Sequence, residues 1–360
     1  QELLYQFKKR TLVHFAVDTV EVYMTTKLDG KNTHFLPFNQ GHNNGGGNPP
    51  CDGELRTSYL WQDILTRDSL MEIVARYIHL SVEEKKIRTE QGVRTITKET
   101  MIFPRYHQLD AVRRLIAHSQ AHGSGHNYLI QHSAGSGKSN TIAWLAHRLA
   151  SLHDAADRKV FDTVVVVTDR RVLDQQLQAT IYQFEHRQGV VQKIDEDTRQ
   201  LVQALAGGTP IVVTTLQKFP FITETLDKLR EELPADQHDS LAIATRNRRF
   251  AVIVDEAHSS QSGESAMALK GVLNADGVQQ AAAQYLAERA GKGGVGPRAA
   301  DAAMPLTTGD GEPLAPWTAE PDDDADGMAG VVRQMMRRGR QPNLSFFAFT
   351  ATPKYKTKKV

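Results

Sequence analysis

Five short apolar segments follow Phe103, each set between helix-like stretches: YLIQ at 128–131, TVVVVT at 163–168, PIVVTT at 210–215, FAVIVDE at 250–256 and LSFFAFT at 344–350. A strand with one face in water alternates apolar and polar residues, whereas a strand covered by helices on both faces has no such need. The recurring unit of helix and unbroken strand predicts a central parallel α/β sheet beginning near residue 103.

The preceding residues follow a different pattern. TLVHFAVDTVEVYMTTK and THFLPF alternate, with the turn signal Asp29-Gly30 between them, and predict two or three strands. GHNNGGGNPPCDG at 41–53 is an exposed loop by composition. Leu60, Ile64, Leu65, Leu70, Ile73, Val74 and Tyr77 recur at helical spacing, which predicts one helix or a broken pair. The charge run Glu83-Glu84-Lys85-Lys86 reads as a hydrophilic helix face or linker. Residues 1–80, 81–102 and 103–360 are thus expected to form a first domain, a linker and a larger domain. Within the last, 272–342 is rich in Gly, Ala, Pro and Asp, and is expected to be a mobile surface insertion.

Composition narrows the class. At 360 residues there is material for two domains or for one with a large insertion. With 24% charged residues and no apolar run of membrane-spanning length, the expectation is a cytoplasmic protein that does not enter a membrane. The N-terminus lacks a secretory pattern and does not begin with Met, so it reads as the middle of a longer polypeptide. The single cysteine, Cys51, excludes an internal disulfide and any zinc site built on two cysteines, and it carries no signature of a nucleophile. Forty-three basic against 42 acidic residues give +1, so any nucleic-acid surface must be local.

The sharpest motif is His132-Ser133-Ala134-Gly135-Ser136-Gly137-Lys138-Ser139, between the strand at 128–131 and the helical stretch TIAWLAHRL. Strand, glycine loop and helix form the setting in which backbone N–H groups and a helix N-terminus surround phosphate oxygens. Gly135, Ser136 and Gly137 would form the cradle, Lys138 would bridge the β- and γ-phosphates, and the Ser139 hydroxyl would ligate Mg²⁺. His132 replaces the first glycine of the longer pattern, which leaves the shorter core GxGK[ST].

Asp255 and Glu256 leave a second apolar strand at its C-terminal end, where parallel sheets bind ligands. Asp255 would hold Mg²⁺ through its water shell, and Glu256 would orient and deprotonate the attacking water. Thr350-Ala351-Thr352-Pro353 ends another strand and suits coupling of nucleotide state to a neighbouring lobe through Thr350 and Thr352. Gln108, in FPRYHQ, either pairs with an adenine edge, favouring ATP, or is a polar helix-start residue facing water. TDRR at 168–171 and TTLQK at 214–218 both follow strands. Their Arg170, Thr215 and Lys218 would meet a nucleic-acid backbone, although solvated loop charge explains each segment taken alone. The basic residues at 337–340 and 354–359 read as a solvated face. The first 100 residues contain no nuclease metal signature, and His14, Asp18 and Glu21 have no ligand spacing.

AGSGKS, VVTDRRVLDQQL, IVVTTLQKF, VDEAHSSQSG and FFAFTATPK, in this order, resemble the first motor lobe of the restriction (R) subunits of type I restriction-modification systems, within helicase superfamily 2. FKKRTLVHFAVDTVEVYMTTKL and YLWQDILTRDSL resemble the stretch between nuclease core and motor in those subunits. The resemblance implies a RecA-like lobe preceded by the C-terminal remnant of an α/β nuclease domain. It also implies ATP and Mg²⁺ as cofactors, double-stranded DNA as substrate, and modification (methyltransferase) and specificity subunits as partners. The nuclease signature would precede Gln1, and the second lobe with its arginine finger would follow Val360, so the chain is expected to bind ATP and to hydrolyse it poorly. The competing readings are a stand-alone superfamily 2 helicase acting on DNA or RNA, and a noncatalytic docking module.

Overall fold

The computed structural model describes residues 3–43, 45–89, 92–133, 135–168, 171–184, 189–194, 198–215, 218, 248–255, 273 and 342–350. The chain divides into two compact units, Gln1–Arg113 and Arg114–Val360.

The first unit opens with an antiparallel sheet of three short strands: β1 (His14–Val17), β2 (Val22–Thr25) and β3 (Leu36–Pro37). Asp18 closes the β1–β2 turn, accepting the N–H groups of Glu21 and Val20 at 2.7 and 2.6 Å, which holds its carboxyl below the usual range. Asp29-Gly30 does not make a two-residue hairpin. It opens a 3-10 turn, Gly30–Asn32, within a longer connection between β2 and β3. Phe38, fully buried, meets Phe15, Phe103 and Tyr106 at ring-centre distances of 5.4, 6.1 and 5.9 Å. Tyr59 donates its hydroxyl to the Phe38 carbonyl, satisfying the polar end of a buried ring. The helical pattern at 60–77 resolves into a broken pair, a π-helical turn at Leu60–Ile64 followed by α1 (Arg67–Arg76).

Residues expected to form a linker instead form a long antiparallel hairpin, β4 (His79–Thr89) with β5 (Gly92–Ile102). The charge run of 83–86 therefore lies on a strand, with Glu83 opposite Lys98 in register. Opposite charges facing one another across a ladder favour pairing, which the single-strand pattern of charges does not reveal. The hairpin leads to α2 (Tyr106–His122).

In the second unit the expected parallel sheet is present. Its strands are β6 (Asn127–Gln131), β7 (Thr163–Thr168), β8 (Val191–Lys193), β9 (Ile211–Thr215), β10 (Phe250–Val254) and β11 (Leu344–Thr350). All neighbours pair in parallel, in the order β6-β11-β10-β7-β9-β8. Every residue of β7 is buried, as an unbroken TVVVVT segment requires of a strand covered on both faces. The sheet is flanked by α3 (Lys138–Ala150), α4 (Arg171–Gln183) and α5 (Thr198–Gly207). On one face Val165, Val167, Val212, Val252, Phe346 and Ala348 join Leu201, Val202 and Leu205 of α5 in one core. Residues of opposite parity fill the other face, where Phe347 stacks on Tyr128 at 4.5 Å and meets Phe161 edge-on at 6.2 Å.

Of the insertion expected at 272–342, Leu273 and Pro342 fall among the described residues, and the rest lies outside them. Asn343 donates its side-chain amide to the carbonyls of Leu273 (2.8 Å) and Arg248 (3.2 Å), so the residues flanking 274–341 meet at the start of β11. No helix among the described residues is long and apolar enough to cross a membrane.

Candidate nucleotide site

The register of the sheet gathers the motifs on one edge. Gln131 pairs with Thr350, Val254 with Ala348 and Val167, and Thr168 with Thr215. The glycine loop after β6, Thr350, Asp255, Thr168 and Thr215 therefore all leave the sheet at its C-terminal edge, where open parallel sheets bind ligands. The strand that ends in Thr350 lies between the loop strand β6 and the acid strand β10.

The loop has the backbone that its glycines permit. Gly135 and Gly137 have φ of +77° and +86°, in the left-handed region open to glycine at little cost. Gly137 is also the N-cap of α3, and its carbonyl accepts the N–H groups of Asn140 and Thr141. Lys138 and Ser139 are thus the first two residues of a 13-residue helix whose positive end faces the loop. Ser136 is buried, and its N–H turns back to the Ser133 carbonyl at 3.1 Å. At the mouth of the loop the His132 N–H donates to the Thr350 carbonyl at 2.9 Å. Asp255 is buried, and its N–H donates to the Val167 carbonyl at 3.1 Å, fixing the backbone from which its carboxylate projects.

Gln108 is not the water-facing polar residue that one of its two readings expected. It is buried rather than facing water, and its Oε1 accepts the Arg105 N–H at 2.9 Å while its own N–H donates to the Arg105 carbonyl. This is the third-residue half of a capping box, and it closes the N-terminus of α2. Gln108 lies in the first unit and the glycine loop in the second. Lys218 donates its ammonium to the Ile194 carbonyl at 2.6 Å, tying the residue after β8 to the segment after β9. Glu256, Thr352 and Arg170 lie outside the described residues.

Sequence reasoning did not single out three features of the second unit. Asp162 and Arg249 form a forked ion pair just before β7 and β10, Asn343 joins the ends of 274–341, and His118, His122 and His126 cluster beside β6. Only the last left a trace in the sequence, as histidines four residues apart.

Residues 107–278 match the family model of the SWI2/SNF2 ATPase. Over 177 residues the chain is 32% identical to the type I restriction enzyme HindI endonuclease subunit of Haemophilus influenzae, a match that covers 47% of this chain. The match spans only 15% of the length of that subunit. Among solved structures, the UvsW helicase from bacteriophage T4 aligns with a TM-score of 0.32 and 16% identity, covering 59% of this chain and 57% of that one. Both sequence matches, to an ATPase family and to a subunit of a type I restriction enzyme, are of the kind that the motifs led us to expect.

Proposed function

We propose that this ATPase-like chain is the first lobe of a motor that moves double-stranded DNA, as part of a type I restriction R subunit. The observation that carries the proposal is the convergence of the glycine loop, Thr350 and Asp255 on one edge of the parallel sheet. That convergence supports reading the three, far apart in sequence, as a phosphate cradle, a coupling strand and a carboxylate of one site.

In this reading Gly135, Ser136 and Gly137 cradle the phosphates, and Lys138 bridges the β- and γ-phosphates of ATP. The donor set fits Mg²⁺: the Ser139 hydroxyl and the Asp255 carboxylate are hard oxygen ligands, one at the start of α3 and the other just beyond β10. Bound Mg²⁺ would neutralise charge on the phosphates. Glu256 orients and deprotonates the attacking water. Thr350 shares a main-chain hydrogen bond with His132, so a shift of the loop on hydrolysis pulls directly on β11, and Thr352 continues that path. Arg170, Thr215 and Lys218 contact the DNA backbone without reading sequence, Lys218 after leaving the Ile194 carbonyl. Gln108, whose amide would pair with an adenine edge, favours ATP in this reading. Modification and specificity subunits supply base recognition. Residues 1–80 are the end of a nuclease domain, and 103–360 form the motor lobe.

The test is ATPase activity with and without intact duplex DNA, on this chain and on one extended at both ends. DNA-stimulated hydrolysis by the extended chain, abolished by Lys138→Ala, is expected. Its absence overturns the motor reading, and unwinding of tailed substrates in place of duplex tracking indicates a stand-alone helicase.

A further inference from the structure

We propose that His118, His122 and His126 form a proton-operated latch, which holds the connection between α2 and β6 against the start of β11 at neutral pH and releases it in mild acid. The cluster lies at the N-terminal end of β6, opposite the glycine loop, and is independent of the nucleotide reading.

The rings are close. His118 and His122 stack with centres 4.1 Å apart and planes 19° apart, and His126 meets them edge-on at 5.3 and 5.7 Å. His118 Nδ1 lies 3.0 Å from the Tyr128 hydroxyl, which also receives a bond from Ser119 Oγ at 3.3 Å. When Ser119 donates to Tyr128, the phenol proton is left for Nδ1, and only an unprotonated Nδ1 can accept it. His122 Nδ1 lies 3.0 Å from the His118 carbonyl. The backbone beside the rings is what the latch holds. The N–H groups of Gly125 and His126 both donate to Ser345 Oγ, at 3.0 and 3.2 Å, and Ser124 Oγ donates to the Pro342 carbonyl at 2.6 Å.

Burial pushes the His118 pKa below its ordinary 6.5, and the neighbouring His122 and His126 push it the same way. The groups facing His118 are His122 from α2 itself, His126 from the connection and Tyr128 from β6, while β11 presents the uncharged Ser345 to the same connection. The unfolded chain therefore binds the proton first. The contribution of the latch is complete above the ordinary value and is lost as pH falls below it. Among the described residues no group of three His, Cys, Asp or Glu side chains is placed to hold a metal ion.

The experiment follows histidine NMR signals and amide hydrogen exchange of the full chain from about pH 7.5 to about pH 5.5. His118 should titrate below 6.5, and protection of the Gly125 and His126 amides should fall by up to about tenfold at one pH unit below the ordinary histidine value. His118→Gln should flatten that dependence. Should His118 titrate at or above 6.5, or should protection stay constant in acid, the latch is wrong. Loss of protection at neutral pH on adding a chelator overturns it too, because the cluster would then be a metal site. The wild-type titration decides the matter even if the variant does not fold.

Discussion

At its C-terminal edge the parallel sheet ends in Gln131, Thr168, Thr215, Asp255 and Thr350, with a glycine loop after Gln131 that holds two residues at positive φ. At its N-terminal edge the strand starts are tied down by side chains. Asp162 accepts the Arg249 N–H and guanidinium, Asn343 bonds Leu273 and Arg248, and Ser345 bonds Gly125 and His126. One edge uses its polar groups to hold strands together, and the other presents them where a ligand would lie. Stability and chemistry are therefore separable here, and substitutions at the two edges should fail in different assays.

The largest expected effect is at the chemical edge. Lys138→Ala should reduce ATP hydrolysis by the extended chain by about 10²–10³-fold, the loss seen when one charge-stabilising group is removed. Its folding stability should move by less than about 0.5 kcal/mol, since Lys138 is not among the buried residues of the core. A nucleotide assay beside a urea melt checks both halves, and a large loss of stability would break the contrast.

The opposite edge should behave in reverse. Asp162→Ala removes the fork to Arg249 and should cost about 1–2 kcal/mol of stability, while ATP affinity changes little. Burial raises the pKa of Asp162, but hydrogen bonds and charge from Arg249 outweigh it and hold the carboxyl below 3.8. Its stabilising contribution is therefore present above that value and is lost as pH falls through the lower folded pKa. Urea midpoints of wild type and variant should converge in strong acid.

How much of this is legible in the sequence depends on distance along the chain. The glycine loop is a contiguous octapeptide, and TVVVVT announces a strand buried on both faces. The Asp162–Arg249 and Asn343–Leu273 ties join residues that no local pattern connects. β8 leaves little trace because VQK is three residues long with one buried apolar side chain. The β4–β5 hairpin is hidden because its signal is cross-strand, as in Glu83 opposite Lys98, and does not appear as alternation within either strand. The cap made by Gln108 is hidden for a similar reason. The residue at the helix cap is Arg105, so the serine or threonine that advertises a capping box is missing although the glutamine half of the bond is made.

The smallest effect sharpens the contrast within the loop itself. A Cβ added at Gly135 meets nothing within 4 Å, so Gly135→Ala introduces no clash. What it does introduce is backbone strain, because φ is +77° and an L-residue in that region costs about 1–2 kcal/mol. The loop can relieve this strain by leaving the cradle conformation, with the sheet beneath it unaffected. The expected result is a modest loss of nucleotide affinity, no more than about tenfold, with less than about 0.5 kcal/mol lost in the urea melt. Isothermal titration with ATP beside the melt measures both. Equal losses in the two assays would mean that the loop is part of the structural framework, and the division of labour between the two edges would then fail at Gly135.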